Sequence, residues 1–169
     1  MKNSINVVAA VCLTLGGVFG LLETVFSQGN LQATSWGIDG LAPVVATVLL
    51  ALKFSRGGND FVAAGFLEFA NGEGVLLSGT MTTLAESVPS FAAGTDLWPA
   101  ALLLTSVPRE FARWIRVTSM IGSILFAITT ARIFWGQQIF ATASPPPFFA
   151  YPFLFLTFGG WVWTLMKTA

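Results

Sequence analysis

Histidine is absent from the 169 residues and cysteine occurs once, at Cys12. Without imidazoles or a second thiol there is no disulfide, and the usual ligand sets for haem, zinc and iron–sulfur clusters are missing, so the composition argues against all three. A carboxylate-only site for a hard cation stays open, because such ions take oxygen ligands, but no metal site is assigned. Charge is scarce too. Only 9% of residues are Asp, Glu, Lys or Arg, eight basic against eight acidic, where an ordinary soluble domain carries about 25%. A net charge of zero supplies no basic field, so no nucleic-acid partner is expected. There is no His for acid–base work and no G-x-S-x-G motif, so the chain reads as a non-enzyme more readily than as an enzyme.

What the chain has in abundance is apolar surface: 54% of residues are hydrophobic, with sixteen Phe and six Trp. Four runs, 5–26, 36–54, 117–134 and 148–166, are apolar over about the 20 residues needed to cross a ~30 Å hydrocarbon core as an α-helix. Lys2 followed by the first run has the outline of a secretory signal. No A-x-A-like site follows and the run continues to Phe26, so a retained span is expected. The fold class is therefore all-α: a polytopic helix bundle, with 1–169 as a single transmembrane domain.

The block 60–107 is harder to read. It holds Phe61 to Thr80, which contains two glutamates, and "LWPAALLLTSV" (97–107), which as a helix reaches only about halfway across. The intervening "SVPSFAAGTD" is polar for a full span. Four firm spans plus an amphipathic or re-entrant insertion at 60–107 is the expectation, with six conventional spans as the alternative. Linkers are placed at 27–35, 55–60 and 142–148, where turn residues and helix breakers gather. Pro108 is expected in the first turn of the helix that runs on into the third firm span, and "SPPPF" (144–148) as a stiff external loop.

Basic residues orient the bundle. Lys2, Lys53, Arg56, Arg109, Arg113, Arg116 and Lys167 can share one side, which requires both termini on the cytoplasmic (or matrix or stromal) face and an even number of crossings. Trp36, Trp98 and Trp135 then fall near one interface, and Trp114, Trp161 and Trp163 near the other.

Charges inside apolar segments are costly, about 3 kcal/mol at the bilayer centre on insertion scales, so they mark an interior, a cavity or a partner. In "GFLEFANGEGVLLSG" (65–79), helical spacing puts Ala64, Gly65, Glu68, Asn71, Gly72 and Val75 on one small, polar stripe opposite Phe66 and Leu67, while Glu73 projects from another side. Glu68, Asn71 and Glu73 are the candidates for an ion or proton site, against a plain helix-contact role for the same stripe. Arg132 matches Glu23 and Asp39 in depth, which makes them candidates for an intramembrane ion pair. Gly16 and Gly20, at GxxxG spacing, and Gly65 and Gly72 are candidates for close helix packing.

Two functions follow as expectations. The first is an accessory or structural subunit packed through its spans within a larger membrane complex. The alternative is a small oligomeric channel, or an ion- or proton-coupled transporter, using Glu68 in a buried polar stripe. Membrane lipids, bound to the chain, and other transmembrane subunits or further copies of the chain are the partners expected.

Overall fold

A long apolar run away from water has to satisfy its backbone N–H and C=O groups internally, and helices do so within one segment. In a computed structural model that describes residues 2–25, 30–79, 87–137, 139 and 145–167, the chain forms six helices and no strand among the described residues. They are α1 (Lys2–Val25), α2 (Asn30–Arg56), α3 (Asp60–Gly79), α4 (Val88–Ser106), α5 (Arg113–Phe134) and α6 (Pro145–Lys167). Four of them are long and apolar enough to cross a membrane: Ser4–Leu22, Thr34–Arg56, Arg113–Phe134 and Phe148–Lys167. These coincide with the four firm runs of the sequence.

The block 60–107 differs from expectation. It supplies two complete helices of 20 and 19 residues, each about 30 Å long; residues 80–86 between them lie outside the described set. The half-length segment at 97–107 extends back to Val88 because its polar residues are accommodated on the helix itself. Thr95 is buried and its hydroxyl donates to the Phe91 carbonyl at 2.7 Å. Pro108 also departs from expectation: residues 107–112 are turn and bend, with Phe111 buried, and α5 starts only at Arg113. Arg116 fixes that corner. Its guanidinium donates to the carbonyls of Ser106 (2.5 Å) and Val107 (3.0 Å), at the carboxyl end of α4 where the helix dipole favours a cation. Likewise, Pro145–Pro147 open α6 instead of forming a loop, since proline's missing N–H costs nothing in a first turn.

The turn between α2 and α3 shows the local chemistry clearly. Gly58 takes φ +76°, a left-handed conformation that favours glycine, and Asn59 caps α3 by accepting from the Val62 N–H at 3.3 Å.

Each helix packs against its neighbours in sequence, and α6 packs back against α1, so the six form a closed ring; no other helix pair is in backbone contact among the described residues. Aromatic side chains fill much of its centre. Phe66 of α3 meets Trp161 of α6 with ring centroids 4.8 Å apart, although the two helices do not themselves pack. Phe69 stacks on Trp98 at 5.4 Å and 3°, and Trp98 meets Phe126 edge-on at 4.8 Å. Trp98 and Trp161 are therefore core residues and not interfacial anchors. Each such pair contributes about 0.5–1.5 kcal/mol beyond area burial.

Where helices meet around the ring, glycines set the spacing. A Cβ on Gly72 would stand 2.8 Å from the Gly94 carbonyl oxygen, and one on Gly65 would stand 2.9 Å from that of Ala101, so α3 and α4 run nearly backbone to backbone. Gly16 lies against Pro43 of α2, and Gly20 against Asp39. At the opposite end from Asp39, Asn6 of α1 ties three helices together: Lys53 of α2 donates to its Oδ1 at 2.8 Å, and its Nδ2 donates to the Leu165 carbonyl of α6 at 3.4 Å.

Candidate functional site

The orientation of α3 decides which of its acids faces inward. Val62, Phe66, Phe69, Gly72 and Glu73 are buried on the ring side, while Ala64 and Asn71 are exposed and Glu68 is intermediate. The inward stripe thus runs through large aromatics, with Glu73 continuing it. The small, polar stripe expected from helical spacing is split: Gly65 and Gly72 go to the α4 contact, and Glu68 and Asn71 turn away from the centre. The physical reason is close packing: α3 meets α4 through Gly65 and Gly72, and that contact turns Phe66 and Phe69 inward. The chain places Phe66 and Phe69 at 0% exposure.

Glu73 is 6% exposed and lines a cavity of ≈ 980 Å³ together with Asp39 of α2, Trp98 of α4 and Tyr151 of α6. All six helices contribute to its lining, α6 the most. Asp39 sits where α1 is thinnest: its Oδ1 lies 2.7 Å from where a Cβ on Gly20 would be, so any larger residue at Gly20 would push into the carboxylate. The acids lie toward the end of the ring away from Asn6 and Lys53; Asp39 precedes Lys53 by 14 residues of α2, about 20 Å along the helix. The Phe155 and Phe158 rings complete the inner wall.

Trp98 forms the floor between the aromatic core and the cavity. It is 3% exposed, and its indole Nε1 has no hydrogen-bond partner among the described residues. That edge of the indole packs against α3, its Cδ1 and Nε1 standing 2.8 and 3.0 Å from where a Cβ on Gly72 would be.

Arg132 and Asp39 are not brought together among the described residues. Arg132 is exposed at the end of α5, where its Nε donates to Gln137 at 2.6 Å, and α5 does not pack against α2, which carries Asp39. Glu23 is in α1, but its side chain lies outside the described residues.

Sequence reasoning did not bring Asp39 and Glu73 together, nor single out Trp98 and Tyr151 as their neighbours. A signal did exist: Glu73 stands four residues after Phe69 and seven after Phe66, the helical repeat of an inward aromatic face. Among the described residues no group of three or more His, Cys, Asp or Glu stands ready to hold a metal ion. The arrangement can instead offer two acceptor carboxylates, a phenol and aromatic faces to something that enters the ring. No family model matches the chain, and neither a curated protein nor a solved structure matches it.

Proposed function

We propose that the chain is a small multi-pass membrane transporter, ion- or proton-coupled, in which Asp39 and Glu73 form the coupling site in place of Glu68. The observation that carries this reading is the pair of carboxylates from adjacent helices facing one cavity inside an apolar ring. Glu73 is buried and Asp39 half-buried, and an acid shielded from water is costly unless it is hydrogen-bonded, paired, or neutralised by a proton or a cation. A site that exchanges one for the other is the simplest use for that expense. In this reading the ring spans the membrane six times, with the Lys53 and Lys167 end cytoplasmic.

The accessory-subunit reading draws on small-residue stripes that would receive foreign helices. Gly16, Gly20, Gly65 and Gly72 lie against neighbours within the chain, which weighs against that reading, while Gly74 and Gly159 stay open to an outside partner.

The test is reconstitution into liposomes containing a pH-sensitive dye, under an imposed pH gradient, challenged in turn with sodium, potassium and small organic ions. Transport predicts a proton response to at least one of them above that of empty liposomes, lowered tenfold or more by Glu73→Gln or Asp39→Asn and within twofold of wild type for Glu68→Gln. No response from correctly folded protein, with unlike subunits co-purifying in fixed ratio from the native membrane, would return the chain to the accessory role.

A further inference from the structure

Resting on the reading of the ring interior as a solute site, we infer that the substrate is a lipophilic organic cation that enters the cavity sideways, from the bilayer, past the exposed side of α6. Three observations lead there.

The first is charge. Asp39 and Glu73 line the cavity, and no Lys or Arg does so among the described residues. A site of this composition selects a positive centre and repels an anion of the same shape.

The second is the character of the walls. Trp98, Tyr151, Phe155 and Phe158 present ring surface on the same space as the acids. A bare hard cation would need six or so oxygen ligands, and two carboxylates with one phenol on otherwise apolar walls do not provide them. An alkylated or arylated cation needs no such shell: its charge is served by the acids and by aromatic faces, and its apolar body by the rest. A volume of ≈ 980 Å³ is at the upper end of the roughly 300–1,000 Å³ of pockets for drug-sized molecules.

The third is the route. The cavity is not sealed within the ring; its exposed lining includes Leu21 of α1, Phe148 and Leu156 of α6 and Trp114 of α5, at 53%, 64%, 53% and 45%. Those side chains face the surface that lipid would cover, so the mouth is apolar while the acids lie deeper. A hydrated ion gains nothing from that mouth. A molecule already partitioned into the bilayer meets a continuous apolar path until its charge reaches Asp39 and Glu73.

The experiment uses two probes of the same size and shape with opposite charge, tetraphenylphosphonium and tetraphenylborate, bound to the full chain in lipid nanodiscs and measured by equilibrium dialysis against empty nanodiscs. Saturable binding of tetraphenylphosphonium, at least tenfold tighter than that of tetraphenylborate, is expected. Glu73→Gln and Asp39→Asn should each weaken it tenfold or more, and Glu68→Gln should leave it within twofold. The comparison of the two probes on wild-type protein needs no variant to fold. Equal binding of both probes, or a cation affinity unchanged in both folded carboxylate variants, overturns the inference. Failure to bind the cation while liposomes respond to another solute overturns the substrate class and leaves transport standing. Charge-selective binding with no flux supports the site and overturns transport.

Discussion

Two glycines on α3, two residues apart, give a paired test of how the ring is held. A Cβ on Gly72 would lie 2.8 Å from the Gly94 carbonyl oxygen and 2.8 Å from Trp98 Cδ1, while one on Gly74 would meet nothing within 4 Å. Both positions are interior to the same helix, so Gly→Ala brings the same intrinsic gain of roughly 0.5–1 kcal/mol at each. That gain cancels in the comparison. What remains is the cost of forcing one extra carbon against backbone, which cannot rotate away, and such overpacking costs about 1–3 kcal/mol. For a chain of this length each kcal/mol shifts the melting temperature by about 2–4 °C, so Gly72→Ala should melt roughly 2–12 °C below Gly74→Ala. The assay is thermal unfolding in one detergent at one scan rate, followed by helical circular dichroism. If Gly72→Ala melts at or above Gly74→Ala, α3 and α4 do not approach as described, and the placement of Trp98 and Glu73 on the ring interior loses its support.

Two further tests address other parts of the ring. Arg116→Met removes two hydrogen bonds to the end of α4. With charged bonds worth about 1.5–3 kcal/mol each when buried and less when exposed, overall destabilisation of about 1–3 kcal/mol is expected, with faster proteolysis confined to 107–112. Unaltered cleavage there would show that the corner is held by other contacts. For orientation, Cys12→Ala protein carrying Ser55→Cys or Trp135→Cys, both exposed positions, should react with a membrane-impermeant maleimide from opposite sides of intact cells, Trp135→Cys from outside. Labelling of both from one side would contradict the six-crossing topology.

The four long apolar helices were legible because length and hydropathy alone specify them, and their expected limits fall within a few residues of those observed except where prolines and linkers enter. At α6 the triple proline was read as a breaker, yet it begins the helix, where its missing donor does no harm. At α4 the sequence was read as too polar, because hydroxyls count against a span in composition but disappear into it when bonded to the preceding turn. Thr95 bonds its own helix in this way, while Ser119 and Ser123 of α5 reach across to α4 and donate to Leu102 and Pro99 at 2.9 and 2.7 Å. The candidate acids were legible as a set, since any carboxylate in an apolar segment is conspicuous. Their facing was not. In a soluble helix the polar side would mark the exterior, but with an apolar surrounding both the aromatic and the small-residue sides of α3 can face either way, and only the fit of Gly65 and Gly72 to α4 settles the rotation.

The closure of α6 onto α1 has a consequence for how the protein is made. Every other backbone contact between helices joins neighbours in sequence among the described residues, so five helices can dock in order as the chain emerges, each beside the one before it. The last helix alone must find the first, and it brings Tyr151, Phe158 and Trp161 with it. Until that moment Asp39 and Glu73 border an open cleft and the core rings of Phe66 and Phe69 lack half their partners. The arrival of α6 is therefore the step that closes the space beside Asp39 and Glu73. A chain truncated before it would leave Asp39 and Glu73 beside an open cleft.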